Sequence, residues 1–495
     1  MRSVDRGAAG DTAPKAILFD VLMSSTMHVM QKPRITIVGA GISGLSLAYF
    51  LKQSLGEKIA LSVYENRGEA GGTIGTLSEN GYLEEKGPNG FFDNRPATLE
   101  LIRSLGLEEK LIHADAHAEN RFVYHAGRLR KIPAGPQQIF STDLLSFGGK
   151  MRLFAEPFIA PRRSEDDETL EQFFTRRIGK EATERLTDPF VSGIYAGSLN
   201  QLSARATFPK LVEFEEKYGS VLKGFVRSKK QGPRKRPKLT SFREGLVTLV
   251  RKLADELRNE LHLSSPVSSI EYRKENRTFL LRFDNGSVHE TDSLVLAIPA
   301  FAAAKLVSKL DSELALVLAG ILYSPVQIAA LGFSENAFGT APSGFGYLFS
   351  RQERKEILGC LFSSSIFPGC APRGKVLLRV LLGGADHPEA AGFSDEKVLD
   401  LAVSNLKQVL DVHEKPEWAR IFRYERAIPQ YTIGHLEKLR KLDEILGRFP
   451  GFVLSGNAYR GIGINDCIEE SKRLAGEINS GGRDLSRPYS SFVGI

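Results

Sequence analysis

The sequence predicts a mixed α/β fold in which a parallel sheet begins near residue 34, breaks off, and is taken up again twice farther along. Three observations predict it. A β-branched run, Arg34-Ile35-Thr36-Ile37-Val38, leads at once into Gly39-Ala40-Gly41-Ile42-Ser43-Gly44 and then a helix-forming stretch to Leu55. Leu294-Val295-Leu296-Ala297-Ile298 is a continuous apolar run of the kind a parallel sheet buries on both faces. Phe452-Val453-Leu454 runs into Ser455-Gly456-Asn457, and a second glycine loop opens a helix at Gly463. With 495 residues, 42% hydrophobic and 25% charged, the chain has ordinary globular usage, which excludes a collagen, a coiled coil and a long disordered chain.

The first strand, turn and helix make explicit physical demands. Gly39 permits the turn, Gly41 lets the backbone approach a pyrophosphate, and Gly44 lets the helix pack on the strand, so that the helix start presents its positive end to the phosphates. Ile59 to Tyr64 alternates as a second strand, and Glu65, 21 residues beyond Gly44, is placed to accept hydrogen bonds from ribose hydroxyls. A dinucleotide site follows. Glu65-Asn66-Arg67-Gly68-Glu69-Ala70-Gly71-Gly72-Thr73 then supplies a second glycine pair, where a bulky flavin half needs further close backbone approach, so FAD is expected in preference to NAD. An ordinary glycine-rich loop is the plain alternative for that pair.

From Ala97 to Thr207 apolar residues recur at helical spacing, as at Leu101, Ile102, Leu105 and Leu107, with a short extended insert from Phe122 to Leu129. Lys223, Arg227, Lys229, Lys230, Arg234, Lys235, Arg236 and Lys238 then put eight positive charges in one stretch, without which the 66 basic and 59 acidic residues nearly balance. It reads as a solvated loop, with a membrane surface as the next candidate and nucleic acid not expected. Strands return over Leu261 to Ile270, Phe279 to Phe283 and Val288 to Ala297, with Asn285-Gly286 marking a hairpin. Leu314 to Phe333 is the most apolar window, but Ser324, Pro325 and Gln327 divide it into a short helix and a buried strand.

Cys360, Cys370 and Cys467 are too few for a disulfide framework and lack zinc spacing, so a reducing compartment is expected. His113 and His117 read as a same-face helix pair without a third ligand, and no metal is expected. The first 32 residues show no charged-then-apolar leader pattern and read as a loose extension. At the other end, Gly461 to Glu469 leads into a helix through Ala475. One helix start then serves the pyrophosphate and the other the flavin ring, where a positive dipole stabilises the negative charge of a reduced flavin. Cys467 reads as a packed cysteine and the flavin as non-covalent.

Together these residues resemble the FAD-dependent amine oxidase superfamily and, within it, the oxygen-dependent protoporphyrinogen oxidases of bacterial type, from Arg34 to Ile478. The superfamily resemblance rests on the GAGISG loop, Glu65 and Gly71-Gly72. The narrower one rests on longer strings. Gly87-Pro88-Asn89-Gly90-Phe91 resembles the segment near the flavin ring, and Asn120 to Tyr124 the segment whose arginine holds a substrate propionate, which maps onto Arg121. Asp188 to Gly197 is similar to a string bordering the tetrapyrrole pocket, where small Gly193 leaves room for a flat macrocycle. Gly344 to Leu348 and Gly359 to Ser364 match segments that sandwich the substrate rings, mapping Phe345, Leu348 and Leu361. Two departures are Thr73 and Asn89, where some relatives carry an arginine or aromatic and an arginine, respectively.

The resemblance implies cofactor contacts from Gly39, Gly41, Ile42, Ser43, Gly44, Glu65, Asn66, Gly71, Gly72, Thr73, Gly87, Pro88, Asn89, Gly90, Val267, Gly456, Asn457, Gly463, Ile464 and Asn465. The implied reaction is the six-electron oxidation of protoporphyrinogen IX to protoporphyrin IX, by hydride transfer from a bridge carbon to flavin N5 and reoxidation by O2 to H2O2. No catalytic acid or base is required. Coproporphyrinogen III and, more distantly, an amine are the alternative substrates; a flavin-free lipid- or nucleic-acid-binding protein leaves the glycine-rich helix starts unexplained.

The expected organisation is a Rossmann-like FAD-binding domain over 33–96, 240–305 and 450–484, a helical membrane-associating domain over 97–207 and a basic loop over 208–239. A substrate-binding domain with an antiparallel sheet covers 306–449 and parts of the earlier segments, and a tail covers 485–495. Phe147, Met151, Leu153, Phe154, Phe158 and Ile159, with Lys150, Arg152, Arg162 and Arg163 nearby, suit peripheral attachment to the cytoplasmic membrane. A homodimer and hand-over of the product to a ferrochelatase are compatible with the resemblance.

Overall fold

Five parallel strands drawn from widely separated stretches form one sheet, in the order Leu261–His262, Ala60–Tyr64, Arg34–Val38, Ser293–Leu296 and Phe452–Leu454. The computed structural model describes residues 32–164, 166–229 and 236–480. The N-terminal extension up to residue 31, the tail over 485–495, and Lys230, Arg234 and Lys235 of the basic stretch lie outside the described residues.

The continuous apolar runs are explained by cores on both faces of this sheet. Ile35, Ile37, Val295 and Val453 point into one core, while Val38, Leu294, Leu296, Phe452 and Leu454 point into the other. Strands Arg34–Val38, Ser293–Leu296 and Phe452–Leu454 are therefore buried at both parities, whereas Ala60–Tyr64 is only partly so. The first core is covered by helices Ile42–Leu55 and Ile464–Asn479, which lie against each other where Ser471 Oγ donates to the Ser43 carbonyl at 2.9 Å. The two ends of the described chain thus meet in a single core. The second is covered by an antiparallel sheet, Val267–Arg273, Thr278–Phe283 and Val288–Thr291, together with helices Ala300–Val307, Ser312–Ala319 and His435–Leu446.

A seven-stranded sheet runs in the order Trp418–Pro429, Tyr323–Ser334, Lys375–Gly383, Ile357–Leu361, Gly346–Phe349, Arg121–His125 and Arg128–Lys131. Its pairs are antiparallel except for Gly346–Phe349 with Arg121–His125. Through that parallel pair a hairpin from the mostly helical stretch joins the larger sheet. Helix Asp395–Leu410 seals one face, with Val398, Ala402 and Leu406 among Tyr347, Phe349, Leu378 and Val380. The other face looks toward the parallel sheet's carboxyl edge through Gly87 and Arg379.

Several expectations are corrected. The stretch read as a basic loop over 208–239 is helical over Pro209–Tyr218 and Val221–Lys229. Val212 and Phe214 are buried, and Gly224 is a packing position whose Cβ would stand 2.3 Å from the Phe214 ring. Leu261 to Ile270 is not one strand: it breaks after His262 and restarts at Val267, past Pro266. His113 lies on a strand and His117 on a short 3-10 turn, so they do not share a helix face. Leu153 points inward, into a small core with Leu145 and Ala182. Among the described residues, no helix is long and apolar enough to cross a membrane, and no group of three His, Cys, Asp or Glu is placed to hold a metal ion.

Candidate active site

All five parallel strands end on the same side, and the glycine turns lie along that edge, where a doubly wound sheet binds its ligands. Gly39 has φ +105° and its Cβ would stand 2.5 Å from the Ala297 carbonyl oxygen; a Cβ on Gly44 would stand 1.9 Å from that of Gly39. Only glycine fits either place. Gly41 faces Gly72, the Gly71 N–H donates to the Ala40 carbonyl at 2.8 Å, and Gly41 and Gly71 form a bridge. The two glycine turns are therefore one cradle.

No side chain caps the start of helix Ile42–Leu55, and the first bond inside it runs from the Leu45 N–H to the Gly41 carbonyl at 3.0 Å. The amides of Ile42, Ser43 and Gly44 head the helix, as a phosphate site needs. Glu65 is buried, accepting the Ala40 N–H at 2.8 Å on one oxygen and the Arg67 N–H at 3.0 Å on the other. It fastens the first turn to the second strand and keeps further acceptor lone pairs unused by these bonds. Asn66 is exposed at the rim, and Val267 starts its strand just beyond Ser265, whose N–H donates to the Glu65 carbonyl at 2.8 Å.

Thr73 meets Gly87, where a Cβ would stand 2.1 Å from the Thr73 carbonyl oxygen, so the second cradle continues into Gly87-Pro88-Asn89-Gly90. Beneath that segment lies a residue the sequence did not single out. Arg379 is buried, donates to the carbonyls of Glu85 and Gly87, and pairs with Glu84 at 2.9 Å. Burial pushes the carboxyls of Glu84 and Glu85 up to about 7, against the pull of Arg379 on Glu84 and of the Leu246 N–H and Thr76 hydroxyl on Glu85.

The sign of this shift makes a prediction. The unfolded chain sheds these protons near its ordinary 4.5 while the folded protein keeps them to about 7, so their contribution declines as pH rises through that window and is level above it. Glu84→Gln should therefore gain stability relative to the unsubstituted protein between pH 5 and 8, by about 2–3 kcal/mol at most. Taking the difference in unfolding free energy removes the histidines that titrate in the same range. A difference independent of pH would contradict the assignment.

At the other end of the chain, Gly456 and Asn457 follow Phe452–Leu454, and Gly463, whose N–H donates to the Asp466 carboxylate at 3.1 Å, precedes helix Ile464–Asn479. The Tyr431 hydroxyl holds this loop, donating to the Asn457 carbonyl at 2.6 Å and accepting the Gly461 N–H at 2.9 Å. Asn465 ties the helix start to the Phe92 carbonyl at 2.9 Å and to the Thr98 hydroxyl at 2.7 Å. Cys467 is buried, its thiol pushed up to about 12, so it is no ready thiolate. Two buried polar atoms, Asn89 Nδ2 and Ser455 Oγ, have no partner among the described residues. They lie in or beside the two segments read as flavin contacts. An uncapped first helix start, a double glycine cradle, a buried acid at the end of the second strand and orphaned polar atoms fit FAD.

The substrate candidates gather on the seven-stranded sheet. Arg121 pairs with Gly346, Gly346 with Leu361 and Leu361 with Arg379, one row across four strands, and Leu348 lies two residues along on the same face. The Arg121 guanidinium stands 4.5 Å from the centroid of the Phe345 ring. Burial lowers its pKa and no carboxylate contributes, which leaves a partly desolvated cation in want of an anion.

A Cβ on Gly193 would stand 3.1 Å from both Leu348 methyls. Its helix, Asp188–Tyr195, buries Val191 and Tyr195 together with Asp188 and Ser192, Asp188 paired with Arg354 at 2.7 Å, while Phe190 and Ile194 are exposed. Those two exposed residues, which the sequence reading did not name, flank Gly193 on its helix. Leu239 joins the sites, lying 3.0 Å from where a Gly90 Cβ would be and packing, as Phe345 and Leu361 do, against the small core of Ala118, Ile366 and Phe367.

Residues 42–479 match the family described as flavin containing amine oxidoreductase. The chain belongs to that family. It is 31% identical over 458 residues to the coproporphyrinogen III oxidase of Bacillus subtilis (strain 168), covering 89% of this chain and 97% of that one. It is 33% identical over 469 residues to the chloroplastic protoporphyrinogen oxidase of Nicotiana tabacum, covering 89% and 84%. A crystal structure of an Exiguobacterium sp. 255-15 protein superposes with TM-score 0.78 at 25% identity, over 91% of this chain and 99% of that one. The chain is accordingly an FAD-dependent oxidoreductase with the α/β fold of this family.

Proposed function

We propose that the chain oxidises protoporphyrinogen IX to protoporphyrin IX, with O2 as the final oxidant. The observation that carries this reading is Arg121, a half-buried guanidinium without a carboxylate partner among the described residues, beside Phe345, Leu348 and Leu361 and near the flavin segment through Leu239. The relatives from Bacillus subtilis and Nicotiana tabacum support a porphyrinogen as the substrate class.

Gly39, Gly41, Gly44, Glu65, Gly71 and Gly72 would hold the pyrophosphate and ribose, and Gly87 to Gly90, Gly456, Asn457 and the Gly463 helix start the ring system. FAD so held supplies a two-electron acceptor. Arg121 pairs with a propionate through its rigid fork. Phe345, Leu348, Leu361, Phe190 and Ile194 hold the greasy macrocycle and exclude water, and positioning of a bridge carbon is their contribution to rate. The pyrroles flanking that carbon share the positive charge left by a departing hydride, and their N–H protons, now acidic, pass to water. No side chain is needed as general base. Six electrons leave the substrate in three turns, each returning two to O2 as H2O2. On this reading 33–96, 240–305 and 450–484 serve the cofactor, and 306–449 with the 121–131 hairpin the substrate.

Coproporphyrinogen III is the second reading, favoured by the Bacillus subtilis relative, 97% of which aligns. One guanidinium, Arg121, without a carboxylate partner among the described residues suits two propionates better than four carboxylates. Following porphyrin fluorescence from each porphyrinogen separately tests the choice. Faster turnover of protoporphyrinogen IX is expected, and the reverse preference would assign the other substrate.

The exposed side chains of Phe140, Phe147, Met151 and Phe158, at 67%, 80%, 53% and 88%, support peripheral attachment to a membrane. Phe225 and Val226, also exposed, lie on the basic helix Val221–Lys229, which packs near Phe158. The protein is expected to sediment with vesicles containing anionic lipid, and F147S/F158S to weaken that binding at least about tenfold. Equal sedimentation of the two proteins would contradict the attachment.

A further inference from the structure

Three successive backbone carbonyls on the way into Gly87-Pro88-Asn89-Gly90 are held by side chains from one sheet. Arg379 donates to those of Glu85 and Gly87, and the Tyr424 hydroxyl donates to that of Lys86 at 2.9 Å. Arg379 lies on strand Lys375–Gly383 and Tyr424 on Trp418–Pro429, both in the seven-stranded sheet. There Arg379 pairs with Leu361, in the row that runs through Gly346 to Arg121. The same segment is also fixed to the cofactor cradle. The Lys86 N–H donates to the Gly75 carbonyl at 2.7 Å, a Cβ on Gly87 would stand 2.1 Å from the Thr73 carbonyl oxygen, and the Glu85 carboxyl accepts the Leu246 N–H at 2.7 Å. Residues 85–87 are thus clamped between the second glycine turn and the sheet of the substrate candidates.

Ordinary packing does not call for a guanidinium here. The hairpin Thr76–Glu79 and Tyr82–Glu85 is already joined to the sheet by Tyr82, which stacks on Trp418 with ring centroids 4.8 Å apart and 18° between planes, and by Trp418 Nε1, which donates to Glu79 at 2.9 Å. The ion pair of Arg379 with Glu84 is buried, and such a pair is a weak source of stability. What the planar fork provides is direction: one nitrogen bonds the Glu85 carbonyl and the other that of Gly87, on either side of Lys86. Among the described residues its bonds go to Glu84, Glu85 and Gly87, and not to the turns at Gly39–Gly44 and Gly71-Gly72.

We infer that Arg379 is a positioning residue, which sets the segment bordering the flavin at a fixed distance from the substrate-binding sheet and with it the spacing of the reacting groups. The inference rests on the reading of Gly87 to Gly90 as a border of the flavin ring. Arg379 itself takes no proton or hydride and meets no substrate anion, which is the part of Arg121. A misplacement of about 1 Å costs a transfer step on the order of 100-fold, so a clamp of this kind acts on rate rather than on binding.

The test compares Arg379→Lys with the unsubstituted protein, both full-length and FAD-loaded. An ammonium keeps the ion pair with Glu84 but cannot span the carbonyls of Glu85 and Gly87. The visible circular dichroism of the oxidised flavin, which reads the surroundings of the ring without any substrate, should change. Flavin content and KM for protoporphyrinogen IX should stay within about threefold, whereas anaerobic reduction of the flavin at saturating porphyrinogen should slow at least about tenfold. The double variant R379M/E84Q, which leaves no unpaired buried charge, should show the same effects, and it carries the test should the lysine variant fail to fold. Unaltered dichroism in both variants would overturn the inference, as would reduction at the unsubstituted rate. Loss of flavin content from both would also overturn it, by marking a structural role. Porphyrinogen that leaves even the unsubstituted flavin oxidised would instead contradict the proposed substrate, and the dichroism would still decide the part played by Arg379.

Discussion

Replacing Arg121 by alanine is expected to raise KM for protoporphyrinogen IX by about 10- to 100-fold, the loss of one charge-assisted pair worth about 1.5–3 kcal/mol. Flavin content and the rate at saturating substrate should change far less, because the guanidinium contacts the ring of Phe345 and belongs to no hydrogen-bonded network of the cofactor cradle. Arg121→Lys should recover only part of the loss, since an ammonium lacks the planar fork that matches a carboxylate. Steady-state kinetics of the three proteins check this. Unchanged KM in Arg121→Ala would remove the residue from substrate binding and with it the strongest support for a carboxylated substrate.

Gly44→Ala should cost the protein its flavin. The added Cβ would stand 1.9 Å from the Gly39 carbonyl oxygen, a backbone atom that cannot swing aside, and 3.3 Å from the Ala297 Cβ. Either the first turn opens or the helix start lifts off the sheet, and both displace the amides that would face a pyrophosphate. Strain of about 1–3 kcal/mol corresponds to FAD affinity weaker by one to two orders of magnitude. Gly476→Ala is the control: it lies in helix Ile464–Asn479 with nothing within 4 Å of the new methyl, so that variant should remain yellow. The ratio of flavin absorbance to protein in the two purified variants decides the matter. Equal retention would mean that the turn does not hold the dinucleotide.

The cofactor side of this molecule was legible because its demands are local. Gly39, Gly41 and Gly44 sit within six residues, between a strand and a helix whose compositions announce them, and Glu65 closes the unit. The return of strand and glycine loop near Phe452 was legible for the same reason. Arg379 was not, because its meaning lies in the Gly87 carbonyl, 292 residues earlier, and in strand parity that only the assembled sheet fixes. Phe190 and Ile194 lie within a string that the resemblance placed beside the pocket, but only Gly193 was singled out there. Composition gives no sign that Asp188 and Ser192 are the buried side, since that depends on Arg354 arriving from another part of the chain. The helices over 209–229 were hidden by charge density, although Val212, Phe214 and Gly224 carry the packing that makes them.

The most direct measurement is anaerobic mixing of the purified yellow protein with protoporphyrinogen IX while the flavin absorbance near its visible maximum is followed, with air admitted afterwards. Rapid bleaching, then recovery of the colour with the appearance of porphyrin fluorescence, is the predicted result. Flavin that stays oxidised in the presence of excess porphyrinogen would contradict the account.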